Sequence, residues 1–233
     1  MSRPTLLLVH GAWHGSWAFE PLESILVDRG WTVETVDLPT VHADDKATLT
    51  LQDDADAVAA AIDSIEGPVV VVAHSYGGVP TTQGATDPKV AHIVYIAAFA
   101  LDEGESLLGA VGGVAPDWWV IDGPLSTAGN DELPPHTLFF NDMSEDEAER
   151  ASSRLLSQAV QPFSDTLTQV AWRGRPTTYL ITENDTVFPV VAQEALAARA
   201  GAQTARLASS HSPFLSQPDA VADVIEKAAQ SVA

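Results

Sequence analysis

The 233-residue chain predicts an α/β fold, a doubly wound, mostly parallel sheet of about six strands carrying an inserted, mainly helical cap. Short apolar runs alternate with amphipathic ones in both ends of the sequence, as a parallel sheet covered by helices on both faces requires. The stretch Pro68 to Ala73, "PVVVVA", is apolar almost without a break, which marks a strand buried on both sides. The alternation stops at about residue 101 and resumes at about 176, so the irregular stretch between reads as an insertion and not as a second domain. With 45% hydrophobic residues the chain can bury one large core, or one core plus a lid. The expected organisation is one domain over residues 1–233, with a core of 1–100 and 176–233 and a cap of about 101–175.

Taken in order, the first strand is Thr5 to Val9, within "MSRPTLLLVHG". That apolar stretch is too short for a signal-peptide core, and a cytoplasmic location is expected. A helix over Ala18 to Asp28 follows, ended by Gly30 as C-cap. Next come a strand over Thr32 to Asp37, a helix over Leu51 to Ile65, the Pro68 to Ala73 strand, a helix over Tyr76 to Ala85 and a strand over Ala91 to Ala97. The insertion carries "GGVAPDWW" and "DELPPHTLFF", with one or two helices near Ser144 to Gln158. Strands at Thr177 to Thr182 and Thr204 to Ala208 bracket a helix over Val190 to Ala198. Pro218 opens a last helix, Asp219 to Ala229.

Charge and composition exclude several functions. With 32 acidic against 11 basic residues the formal charge is −21, which repels phosphate backbones, so neither nucleic acid nor an anionic membrane is an expected partner. No apolar run approaches the roughly 18 residues a bilayer span needs. The chain has no cysteine, which removes disulfides, thiolate metal sites and cysteine nucleophiles.

The run "AHSYGG", residues 73 to 78, follows the buried strand directly. It resembles the nucleophile elbow G-x-S-x-G of α/β-hydrolases, a sharp strand-to-helix turn that exposes a serine Oγ and aims a backbone N–H at the reacting carbonyl. Ala73 stands where the first glycine would be; smallness is the main need there, so alanine fits. The alternative is an ordinary turn with an incidental serine, and the rest of the chain decides between them. "HGAWHGSW", residues 10 to 17, follows the first strand, where this arrangement takes its second oxyanion donor. Ala12 and Tyr76 would donate their amides, and Gly11 would let the loop approach the substrate. His10 and His14 beside glycines read as loop-pinning imidazoles, since two histidines without a third ligand make a poor metal site. Trp13 and Trp17 read as packing anchors before substrate platforms. His74 should pack behind the elbow, and His42, His92 and His136 have structural readings.

A serine nucleophile needs a base and an orienting acid, in the chain order Ser, Asp or Glu, His. "TENDTVFP" follows one strand and "SSHSPFLSQP" another, which puts Asp185 and His211 on the edge that carries Ser75. Glu183 is the rival acid. Asp185 is preferred because it immediately precedes the step into the next helix. Trp118, Trp119, Leu133, Leu138, Phe139 and Phe140 offer apolar surface to a substrate, or alternatively attach the cap to the core; Trp118 is the favoured substrate contact.

"LLLVHGAWHGSW", "VVVVAHSYGG", "IVYIAAFALDEGES", "TENDTVFP" and "SSHSPFLSQPDAVA" together resemble the small α/β-hydrolase group of methyl-salicylate-type esterases, hydroxynitrile lyases and bacterial pyrethroid-type carboxylesterases. The similarity spans nearly the whole chain and is weakest between Val111 and Ser144. It implies Ser75, Asp185 and His211 as a catalytic triad, Ala12 and Tyr76 as the oxyanion hole, no cofactor or metal, a small-molecule ester substrate and often a homodimer. A lyase using the triad as acid and base, or a non-catalytic binding homologue, are the alternatives. The lyases of this group carry threonine and lysine where this chain has Gly11 and Ser212, which favours an ester hydrolase acting on a neutral, hydrophobic ester or lactone.

Overall fold

The computed structural model describes residues 3–232. The central sheet begins with β1 (Thr5–Val9), followed by α1 (Glu20–Asp28), β2 (Val33–Val36), the short α2 (Pro39–His42) and α3 (Leu51–Ser64). Next come β3 (Val69–His74), α4 (Gly78–Gly84) and β4 (Val90–Ile96). A single 3₁₀ turn, Ser75–Gly77, joins β3 to α4. The inserted segment then contributes α5 (Leu107–Ala110), β5 (Trp119–Asp122), β6 (Leu125–Ala128), α6 (Pro135–Phe139), α7 (Glu145–Ser152), β7 (Gln158–Ala159) and α8 (Gln161–Ser164). The core closes with β8 (Thr177–Thr182), α9 (Val190–Arg199), β9 (Gln203–Leu207), α10 (Pro213–Ser216) and α11 (Pro218–Gln230).

Strand order is β2-β1-β3-β4-β8-β9, and every neighbouring pair is parallel. Both faces are covered, so alternate residues of one strand enter different cores. Val69, Val71 and Ala73 of β3 join Val58, Ile62 and Val79 of α3 and α4, while Val70 and Val72 join Leu22, Leu26, Val221 and Ile225 of α1 and α11. Each fully buried Val or Leu here contributes about 1.5 to 3 kcal/mol relative to exposure. This explains why β3 is apolar throughout and shows no alternation.

Local signals set the element ends. Gly30, at φ 81°, closes α1 with bonds from Gly30 N–H to the Val27 carbonyl (2.8 Å) and from Trp31 N–H to Leu26 (3.0 Å). Capping boxes Thr50/Asp53 and Ser144/Glu147 start α3 and α7. Of the one or two helices expected near Ser144 to Gln158, one forms, α7 over Glu145–Ser152, and Gln158 pairs with Ser126 in a three-stranded antiparallel sheet, order β5-β6-β7. The insertion therefore combines short helices with a small sheet. Among the described residues no helix is long and apolar enough to cross a membrane.

The chain winds from β1 outward to β2, then returns to the other side of β1 for β3. The loops after β1 and β3 thus diverge at a topological switch point, where open α/β sheets leave a crevice at the strands' carboxyl ends.

At that crevice the backbones nearly touch. A Cβ on Gly77 would lie 2.4 Å from the His10 carbonyl oxygen and 2.8 Å from that of Val9, both main-chain atoms at the end of β1. Gly174 has nothing within 4 Å of the same construction. Gly77→Ala is expected to destabilise by about 3 kcal/mol or more, whereas Gly174→Ala should stay within about 0.5 kcal/mol of the parent. Guanidinium midpoints compare the two, and equal midpoints would contradict the close approach.

Candidate active site

Ser75 is the first residue past β3 and has φ 50°, a left-handed conformation that strains a non-glycine residue by roughly 1 to 2 kcal/mol. Two bonds to its carbonyl hold it there, one from the Gly78 N–H and one from the Phe99 N–H at 3.1 Å. The first loop lies against this turn at Gly11, where a Cβ would sit 2.7 Å from His74 Nδ1 and 2.9 Å from Ser75 Cβ. Gly11 is therefore needed for contact with the elbow. It is not among the residues lining the cavity.

Ser75 and His211 line one cavity of about 440 Å³ with Ala12, Tyr76 and a wall of apolar side chains. His211 follows β9 in a loop and is only 3% exposed. Its Nδ1 lies 2.6 Å from Asp185 Oδ2. Asp185 follows β8, and the other donors to its buried carboxylate are the Val187 N–H (2.9 Å) and Phe188 N–H (2.8 Å) to Oδ1, and the Thr182 hydroxyl (2.9 Å) to Oδ2. So anchored, the carboxylate takes the Nδ1 proton of His211 as a fourth hydrogen bond and leaves Nε2 as the imidazole's acceptor. Glu183, the rival acid, has a side chain 43% exposed and pairs with Arg206. Asp185, and not Glu183, is the carboxylate bonded to His211.

The amides expected to receive an oxyanion flank the same cavity. In the Gly11–Ala12 peptide the carbonyl accepts His10 Nδ1–H at 2.8 Å and the His14 N–H at 3.3 Å. Among the described residues the Ala12 N–H has no acceptor. Tyr76 is the second residue of the 3₁₀ turn, before the first helical hydrogen bond.

The cap aromatics divide. Trp118, Trp119 and Phe139 line the cavity, Leu138 and Phe140 are buried elsewhere and fasten the segment to the core, and Leu133 is exposed. Trp13 lines the cavity as well as anchoring packing, with Trp119 at 5.5 Å and Trp118 at 5.7 Å, both edge-on. Trp17 only packs, stacked on His14 at 5.7 Å. Sequence reading missed Phe99, Phe163 and Phe188. Phe99 sits just past the end of β4, next to the elbow strand, and that position was the available signal; Phe163, in the insertion, had none.

The remaining histidines are structural. His10 accepts the Leu38 N–H on Nε2 at 3.0 Å, and burial pushes its pKa down to about 4. His14 donates from Nδ1 to the Ala12 carbonyl at 2.7 Å, and burial lowers it to about 3. His74, behind the elbow, donates from Nε2 to the His211 carbonyl at 2.9 Å; burial, then the neighbouring His211 and His14 imidazoles, hold it well below the ordinary histidine range. Burial also brings His92 to about 4. His10, Asp37 and His42 approach within 4.8 Å, the distance at which three side chains could share a metal. Both His10 nitrogens are already bonded to the backbone and Asp37 Oδ1 accepts the Ser16 N–H at 2.7 Å, so the cluster serves as a loop anchor.

The alpha/beta hydrolase family description matches residues 6–224. The chain is 27% identical over 247 residues to the alpha/beta hydrolase nvfD of Aspergillus novofumigatus, covering 98% of each. It is 35% identical over 113 residues to the carbendazim hydrolyzing esterase of a Nocardioides species, covering 44% of this chain and 45% of that one. The crystal structure of a pyrethroid hydrolase from Sphingobium faniae superposes with a TM-score of 0.85 at 21% identity, covering 98% of both chains.

Four imidazoles held neutral imply a definite pH dependence of stability. Unfolded histidines take up protons near pH 6.5, whereas native His10, His14, His74 and His92 refuse them until far lower pH. Their contribution is complete above pH 6.5 and is lost as pH falls toward about 4, at up to about 1.4 kcal/mol per unit for each. Asp54, raised to about 6 by burial, acts in the opposite sense between about 6 and 3.9 and offsets one of the four. The guanidinium midpoint is expected to fall from pH 7 to pH 5, and a constant midpoint would show that these rings are not held neutral.

Proposed function

The chain belongs to the alpha/beta hydrolase family, and on that premise we propose that it is a carboxylic-ester hydrolase working through Ser75, His211 and Asp185. The observation that carries the proposal is the 2.6 Å pair between a buried, multiply hydrogen-bonded Asp185 and His211, which lines the same apolar cavity as a strained Ser75. His211 Nε2 takes the Ser75 proton as Oγ attacks the ester carbonyl carbon. The negative charge moves to the carbonyl oxygen, which receives the Ala12 and Tyr76 amides. Collapse breaks the bond to the alcohol, which leaves with the proton from His211. Water, deprotonated by His211, then releases the acid and restores Ser75.

The inserted segment acts as the cap, placing Trp118, Trp119 and Phe139 over the serine. Among the described residues no Asp, Glu, Lys or Arg lines the cavity, which suits a neutral, hydrophobic ester or lactone. The similar proteins named as a carbendazim hydrolyzing esterase and a pyrethroid hydrolase are in keeping with that class. Ser212, which follows the base, is neutral and fully buried and supplies no positive charge for a departing cyanide. This favours ester cleavage over cyanohydrin lysis.

Ser75→Ala is expected to lower turnover of a naphthyl acetate by roughly 10⁴- to 10⁶-fold in a folded protein, and to abolish labelling by a serine-directed phosphonate. Mandelonitrile offered to the same preparation should release no cyanide; efficient release without ester cleavage would overturn the assignment. Asp185→Asn is expected to cost about 10⁴-fold by stabilising the wrong imidazole tautomer, while Glu183→Gln leaves turnover essentially unchanged. A larger loss in Glu183→Gln would reverse the choice of acid.

A further inference from the structure

Trp13, beside the Ala12 donor, has φ 61°, a left-handed conformation that a bulky residue keeps only when its surroundings impose it. Three groups that impose it come from the inserted segment. The Trp13 N–H donates to Gln158 Oε1 at 3.0 Å, its carbonyl accepts the Leu156 N–H at 2.8 Å, and its indole N–H donates to Ser126 Oγ at 3.1 Å. The Ala12–Trp13 peptide is thereby gripped at both ends, because its oxygen accepts His14 Nδ1–H at 2.7 Å.

Gln158 is fully buried, and its partners fix which way its amide points. Oε1 faces a backbone donor. Nε2 donates at 3.1 Å to Thr40 Oγ1, which gives its own proton to Asp54 Oδ2 at 2.6 Å. Asp54 also accepts the Thr40 N–H at 2.9 Å and the Tyr76 hydroxyl at 2.6 Å. An unbroken buried chain of hydrogen bonds thus runs from Trp13 through Gln158, Thr40 and Asp54 to Tyr76. Its two ends are the neighbour of one oxyanion donor and the residue that carries the other.

We propose that Gln158 is a positioning residue: it locks the Trp13 turn so that the Ala12 N–H stays aimed at the carbonyl oxygen, and through Thr40 and Asp54 it couples that donor to Tyr76. The cap then builds half of the oxyanion hole besides covering the pocket. The inference rests on ester hydrolysis through Ser75.

Gln158→Met keeps the length and removes both the acceptor and the donor. Its kcat and KM are measured with p-nitrophenyl butyrate. An aryl trifluoromethyl ketone, whose carbonyl carbon accepts Ser75 Oγ to form a hemiketal with the same oxyanion, supplies an inhibition constant. A positioning role predicts that kcat falls about 10- to 100-fold, less than or comparable to outright loss of a donor. KM should stay within about threefold, and the ketone's inhibition constant should rise in proportion to the loss in kcat. Unchanged kcat and inhibition in the folded variant, or a rise in KM alone, would overturn the inference. If Gln158→Met does not fold, Thr40→Val, which removes the acceptor for Gln158 Nε2, is measured in the same way. A fall of several-fold in its kcat at constant KM supports the inference, and no fall overturns it. A parent protein that neither cleaves the ester nor takes the ketone on Ser75 would defeat the hydrolase reading itself, an outcome separate from any result with the variants.

Discussion

The end of β1 and the turn after β3 meet so closely that no side chain fits between them, and the geometry of the site follows from that contact. Gly77 faces the Val9 and His10 carbonyls, and Gly11 faces His74 and Ser75. The contact arises where the winding direction of the sheet reverses, so that the two loops leave adjacent strands at one edge. Parallel pairing of β1 with β3, Val9 opposite Ala73, sets the relative height of the loops. The close backbone contact brings Ala12 and Tyr76 to one cavity, and the side chains of His10, His14 and Gln158 hold the first loop in place there.

Around this contact the imidazoles are buried, and His10, His14 and His74 each make at least one hydrogen bond to the backbone. His10 and His14 bond within the first loop, His10 also ties it to the Leu38 backbone, and His74 joins the elbow to the His211 loop; burial keeps all three neutral. In the proposed reaction this neutrality matters, since cations beside His211 would oppose the positive charge it would acquire on taking a proton. Asp185 supplies the compensating negative charge, held by two backbone amides and the Thr182 hydroxyl as well as by the imidazole. The large acidic excess of the chain stays on the surface, away from a cavity walled mainly by aromatic and aliphatic groups.

The inserted segment is joined to this core by polar as well as apolar contacts. Gln83 of α4 bonds the Thr168 backbone and hydroxyl, Asp165 accepts the Leu51 N–H, and Asp142 accepts both the Ser210 N–H and the Ser216 hydroxyl beside His211. Together with the Gln158 bonds to Trp13 and Thr40, these contacts give the segment a fixed seating over the cavity. The wall of the cavity and the loop that carries Ala12 are therefore mechanically linked.

Residue order by itself determined most strands and helices of the core, because two-sided burial writes itself as an uninterrupted apolar run in β3, and local end signals such as Gly30 after α1 and the Thr50/Asp53 box before α3 mark helix ends. The same local signals exposed Ser75, the loop at Gly11 to Trp13, and the two polar loops holding Asp185 and His211. What only the tertiary structure decided depends on partners distant in the chain. It separated Asp185 from Glu183, two residues apart with similar chemistry, by burying one carboxylate beside His211 and leaving the other with Arg206. It packed Gly11 against the elbow, placed Gln158 in a short strand, and divided the bulky apolar residues of the insertion into cavity wall and fastening. Trp13 and Gln158 meet across 145 residues. A hydrogen bond of that span leaves no periodicity or cap in the sequence around either end, so only the folded chain could bring it into view.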